Sequence, residues 1–313
     1  MSIEELDDRG EMVRIVIAGG SGFIGKKLTD LLLEEGHEVV ILTRKEKVSA
    51  NGVSYVVWLQ DGAAPEKELD HVDAFINLAG VSINDGRWNM KHQKQIYNSR
   101  MEATDELLRI IEALPHKPST FINASAIGIY PASPNAEYNE GSTDAANDFL
   151  GRTVRDWENK AKQVEKHGVR TAFMRFGVVL GNDGGALPLM ALPYKLFVGG
   201  TVGSGDQWVS WVHVMDVARS ILFAVKNDHL RGPVNVTAPS PLRMRDFGRT
   251  IGIVLKRPHW LPVPSFAMKW VLGQKSTLVL EGQKVIPKVL MEEGFEFLYP
   301  TLDAALQDLF KKR

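Results

Sequence analysis

The segment Gly19-Gly20-Ser21-Gly22-Phe23-Ile24-Gly25 constrains this chain most. It stands where an apolar, β-branched run, Val13 to Ala18, gives way to a helical pattern of Ile24, Leu28, Leu31 and Leu32 that ends near Gly36. The order predicts a strand, a tight turn and a helix. Glycine lets the backbone turn sharply and approach a ligand, and the start of the helix offers unpaired N–H groups and the positive end of a dipole. Gly19, Gly22 and Gly25 therefore suit a pyrophosphate. The competing reading is a βα turn that binds nothing; the βαβ context argues against it, because a second strand, Glu38 to Thr43, follows at the right distance.

The pattern repeats along the chain. Further strands are expected at Val53 to Leu59, Ala74 to Leu78, Thr120 to Ala124 and Arg170 to Phe176, with helical patterns at Lys91 to Tyr97, Glu102 to Leu114 and around Asn147 to His167. Strands alternating with helices predict an α/β chain with a Rossmann-type, doubly wound parallel sheet. This core is expected over residues 13–180, after an acidic extension, 1–12. Prolines, glycines and four of the seven tryptophans (Trp208, Trp211, Trp260 and Trp270) mark 181–313 mainly as a smaller, irregular C-terminal lobe packed on the core. The cleft between the two is the expected ligand site.

Composition removes several classes of function. With 37 basic and 38 acidic residues, the net charge of −1 gives no overall field to draw the protein to nucleic acid or to a membrane. There is no cysteine, hence no disulfide, thiolate metal site or cysteine nucleophile, and the cytoplasm is the expected location. No run of apolar residues is long enough for a membrane span. The eight histidines show no metal-ligand spacing, so no metal is expected.

Cofactor choice is read at the end of the second strand. An acid there would bond the ribose hydroxyls of NAD, whereas this chain has Thr43-Arg44-Lys45. A guanidinium can fork onto a phosphate and stack on adenine, so Arg44 points to NADP rather than NAD. The alternative is a solvated basic pair at a strand end.

The glycine segment, Asn77-Leu78-Ala79-Gly80 after the fourth strand and Ser125-Ala126-Ile127-Gly128-Ile129-Tyr130 after the fifth resemble the extended short-chain dehydrogenase/reductases. Ser99-Arg100, Asp148-Phe149-Leu150 with Trp157-Glu158, Trp208 to Val214, and Gly294-Phe295-Glu296-Phe297 narrow the resemblance to an atypical, epimerase-like subgroup of unknown substrate, over about Val13 to Leu309. The resemblance implies that Phe23, Ile24, Leu78, Ala79 and Gly80 join the glycines and Arg44 around the cofactor. It also makes a homodimer an expectation.

The superfamily's Tyr-x-x-x-Lys pair is missing. None of the six tyrosines has a lysine four residues on, and Leu150 and Val154 occupy the corresponding helix positions. The remaining catalytic candidates are Ser125, Arg100 at the place of the superfamily's helix asparagine, and Tyr130. Each has a plainer reading: Ser125 satisfies a backbone group, Arg100 faces solvent, Tyr130 packs. His213, near a helix start, reads as structural. The leading expectation is an NADP-dependent, epimerase-like oxidoreductase acting on a small polar metabolite. Its rival is an inactive NADP-binding regulatory protein.

Overall fold

The computed structural model describes residues 12–86 and 88–311. The expected extension, apart from Met12, lies outside the described residues. Seven strands form one sheet: β1 (Arg14–Ala18), β2 (Glu38–Thr43), β3 (Val53–Val57), β4 (Ala74–Asn77), β5 (Thr120–Ala126), β6 (Arg170–Phe176) and β7 (Gly232–Val236). Their spatial order is β3-β2-β1-β4-β5-β6-β7, and every pair is parallel. The order reverses between β1 and β4, the crevice where doubly wound sheets bind their ligands.

Side chains alternate across the sheet, and both faces are covered, which is why the strands read as nearly continuous apolar runs. On one face Ile15 and Ile17 pack with Leu28 and Leu32 of α1 (Phe23–Glu34), and with Val217 and Ile221 of a later helix, Val214–Lys226. On the other, Val16, Phe75 and Phe121 meet Leu107 and Ile110 of α2 (Met90–Ala113). The two helical patterns expected at 91–97 and 102–114 are thus one continuous helix. Asn89 caps it, its side chain accepting from the His92 N–H. The expected helix around 147–167 is α3 (Phe149–Ala161), continued by a tighter turn, Lys162–His167, that ends at Gly168 in the left-handed region, φ +78°.

The core does not end at Phe176. β7 returns from the second lobe and joins β6 at the sheet edge, so the boundary expected at 180 is crossed. Its sequence, Gly-Pro-Val-Asn-Val, opens with two residues disfavoured in strands. An edge position tolerates Pro233, since only one side of the strand must donate to a neighbour. The second lobe has its own core, in which Trp211, Phe247 and Leu306 are fully buried. It gathers α4 (Leu187–Lys195), the helix Met244–Leu255 and the helix Leu302–Phe310.

Candidate cofactor cleft and active site

The glycine turn closes on the C-terminal end of β4. Gly19 has φ +84°, and a Cβ added to it would lie 2.7 Å from the Leu78 carbonyl carbon. A Cβ on Gly25 would stand 2.4 Å from the Gly19 carbonyl oxygen and 2.6 Å from the Gly20 Cα, so helix and turn touch backbone to backbone. Gly22, the N-cap of α1, supplies no side-chain acceptor, and the first turn carries no acid. The N–H groups at the start of α1 therefore keep their capacity for an anion. Phe23 and Ile24 contribute backbone here. The Phe23 ring fills a slot against Gly181, Gly184 and Gly185, where added Cβ atoms would come within 3.0 Å of it, while Ile24 packs on the sheet core.

Arg44 is exposed directly after β2. Leu78 and Ala79 are half-buried after β4, and Gly80 is exposed. Beneath them Asn77 organises a buried polar cluster. Its Nδ2 donates to Asn123 Oδ1 at 2.8 Å and to Thr104 Oγ1 at 3.1 Å, and its Oδ1 accepts from the Ala79 N–H at 3.2 Å. This fixes the backbone that faces the glycine turn.

Arg100, on α2, lies against Gly80, where an added Cβ would be 3.1 Å from the guanidinium carbon. Its Nη1 donates to the carbonyls of Ile96 at 2.9 Å and Val81 at 3.1 Å, and the guanidinium stands 5.1 Å from the Trp157 ring centre. Burial pulls its pKa down to about 10, the direction expected of a cation with no carboxylate partner among the described residues.

Ser125 is buried at the end of β5 and donates to Glu158 Oε1 at 2.5 Å. Glu158, on α3, is gripped by Arg175 of β6 through Nε and Nη2, each at 2.8 Å. Arg175 Nη1 donates to the Tyr130 hydroxyl at 2.8 Å; that hydroxyl also lies 2.9 Å from Asn235 Oδ1 and 3.1 Å from the Asn139 carbonyl. Burial opposes the Arg175 charge, but the bonds and charge of Glu158 outweigh it and hold its pKa above the ordinary value. Burial raises the Tyr130 pKa against the opposing pull of Arg175.

Residues 15–236 match the NAD dependent epimerase/dehydratase family. The chain belongs to that family. Residues 263–309 match a domain of unknown function, DUF1731. Epimerase family protein YfhF of Bacillus subtilis is 47% identical over 96% of this chain and 99% of its own. The crystal structure of human epimerase family protein SDR39U1 with NADPH superposes with a TM-score of 0.85 at 35% identity, covering 95% of this chain and 99% of that one. A nucleoside-diphosphate sugar epimerase from Corynebacterium glutamicum gives 0.77 at 28% identity, covering 96% of this chain and 58% of the other.

Within this NAD(P)-binding epimerase-family fold, the structure brings Arg100 to the loop after β4 and Ser125 to the end of β5. Tyr130, a catalytic candidate from sequence, is 1% exposed and its hydroxyl is engaged on three sides, the arrangement of its plainer reading as a packing aromatic. Val154 packs with Tyr130, Tyr138 and Val285, whereas Leu150 remains partly exposed beside Gly128. His213 caps the helix Val214–Lys226 by accepting from the Met215 N–H at 3.1 Å. Arg175 and Asn235 were not singled out from sequence, and Glu158 entered only as part of the Trp157-Glu158 motif, with no role assigned. An arginine inside the apolar strand Arg-Thr-Ala-Phe-Met-Arg-Phe is the signal that a buried acid must face it.

Proposed function

We propose that this chain is an NADP-dependent, epimerase-like oxidoreductase that acts on a small polar metabolite at the C-terminal ends of β1, β4 and β5, and that it works in the cytoplasm. The observation that carries the reading is the uncapped, acid-free start of α1, set against Leu78 by three glycines with no room for a side chain at two of them. Gly19, Gly22 and Gly25, with the backbone of Phe23 and Ile24, would hold the pyrophosphate; Leu78, Ala79 and Gly80 would wall the cleft. Arg44 would meet the 2′-phosphate, a choice supported by the NADPH held in the human relative.

When bound, a nicotinamide supplies or accepts hydride. The chain's own groups then govern the charge on the substrate oxygen. Arg100 offers a cation that no carboxylate among the described residues neutralises, able to steady a developing oxyanion. Ser125, its proton committed to Glu158, presents lone pairs and so accepts from a substrate hydroxyl. Tyr130 has no part in this assignment.

Titration with NADPH and NADH, followed by turnover assays on a panel of carbonyl and hydroxyl metabolites, tests the reading. NADPH should bind more tightly, and any turnover should be lost in Arg100→Ala. Equal binding of the two cofactors, or turnover that survives both Arg100→Ala and Ser125→Ala, would refute it.

A further inference from the structure

The balanced total charge conceals a division. Residues 184–205 and 247–280 contain no Asp or Glu and six Lys or Arg, so the other residues carry a net −7 to give the chain's −1. These two segments meet in the C-terminal lobe. Trp260 donates its Nε1–H to the Phe197 carbonyl at 3.0 Å and its backbone N–H to Gly199 at 2.9 Å. The Arg257 guanidinium lies 4.4 Å from the Phe197 ring centre. His259 braces the base of the junction, with Nδ1 2.9 Å from the Tyr194 hydroxyl and Nε2 3.0 Å from Thr201 Oγ1.

The junction turns apolar groups outward. Leu189, Leu192 and Leu196 recur at helical spacing along α4 and just beyond it, all exposed, and lead into Phe197, which is 55% exposed. Trp260 and Ile253 beside it are 67% and 72% exposed. Phe197 has φ +63° and Lys256 φ +54°, in the left-handed region that bulky side chains avoid. A strained turn therefore holds an aromatic ring in water. Exposed apolar clusters of this kind mark interaction sites. Lys195, Lys256 and Arg257 around it are all exposed and have no carboxylate partner among the described residues; Arg249 is paired with Asp246 at 3.6 Å.

We propose that this projection docks the protein on an anionic phospholipid surface, with Phe197 and Trp260 entering the headgroup boundary and Lys195, Lys256 and Arg257 meeting lipid phosphates. The charge pattern selects this occupant. Clusters of Lys and Arg are drawn to anionic leaflets, tryptophan favours the interface, and an apolar anchor needs a basic patch as its second signal for stable attachment. A second copy would bring like charges face to face. Among the described residues no helix is long and apolar enough to cross a membrane, so the attachment is peripheral.

Cosedimentation of the full chain with vesicles tests this. Binding is expected to vesicles containing phosphatidylglycerol and not to phosphatidylcholine alone, and should weaken with salt. Each cation near such a surface is worth roughly fivefold, so Lys256→Gln with Arg257→Gln should lower the partition about thirtyfold. Phe197→Gly should lose binding while Tm holds or rises, because glycine accepts the turn without strain. Trp260 emission should shift to the blue on anionic vesicles, a shift missing in Trp260→Phe. The proposal is overturned by failure to bind anionic vesicles at low salt, or by undiminished binding of these variants. Phe197-dependent self-association without vesicle binding would also overturn it, by giving the surface to a second copy.

Discussion

Ser125 and Glu158, 33 residues apart in sequence, share a hydrogen bond of 2.5 Å, and Arg175 clamps the same carboxylate from β6. The serine is thus tied to a buried ion pair rather than free to rotate. Removing the carboxylate alone strands a buried guanidinium. Glu158→Ala should cost about 3–5 kcal/mol of stability in denaturant unfolding, whereas the apolar pair Glu158→Leu with Arg175→Met should cost clearly less. A single variant no worse than the double would show that the pair is not buried as described.

The two glycines at the head of α1 should separate folding from binding. Gly25→Ala places a methyl 2.4 Å from the Gly19 carbonyl oxygen, with only backbone to give way, so both Tm and NADPH binding should fall. At Gly22 a Cβ meets only the Gly19 oxygen, at 3.2 Å. Gly22→Val should therefore keep its Tm and lose the cofactor, because its bulk lies where the pyrophosphate approaches. Melting curves with and without NADPH decide between these outcomes.

Arg44 should set cofactor preference rather than cofactor binding as such. A charge-assisted bond to the 2′-phosphate is worth about 1.5–3 kcal/mol, so Arg44→Ala should weaken NADPH about tenfold to a hundredfold and leave NADH nearly unchanged. Parallel calorimetric titrations measure both. Equal losses for the two cofactors would place Arg44 elsewhere.

The parts legible in the sequence are those written in local pattern. β2 and β6 run from Glu38 to Thr43 and from Arg170 to Phe176, as the apolar runs predict, and the turn at Gly19 to Gly22 sits between β1 and α1, with Gly25 in the first turn of the helix. The illegible parts depend on partners distant in sequence. Tyr130 looks like a free phenol until Asn235, 105 residues on, lies against it, and Asn235 belongs to β7, the one main-sheet strand the pattern missed. The division of charge behind Phe197 and Trp260 was present in the sequence, but the chain-wide balance masked it.

His213 gives a pH dependence with a definite sign. Its ring is buried, with Nδ1 capping a helix and Nε2 3.3 Å from Asp308 Oδ2 without the alignment of a hydrogen bond. Burial lowers its pKa below 6.5, outweighing the opposing pull of Asp216 and Asp308. The unfolded chain therefore takes up the proton first. The stabilising contribution is complete above the unfolded value near 6.5 and is lost as the pH falls from there towards the lower folded value. His37 and His259 are shifted the same way, so the whole protein's acid loss cannot be assigned to one ring. His213→Asn separates the effects, since asparagine keeps a capping acceptor and does not titrate. Urea unfolding of both proteins from about pH 7.5 down to about pH 5 should show the wild type losing stability more steeply than the variant. Parallel curves would mean that the ring is protonated as easily in the folded state as in the unfolded one.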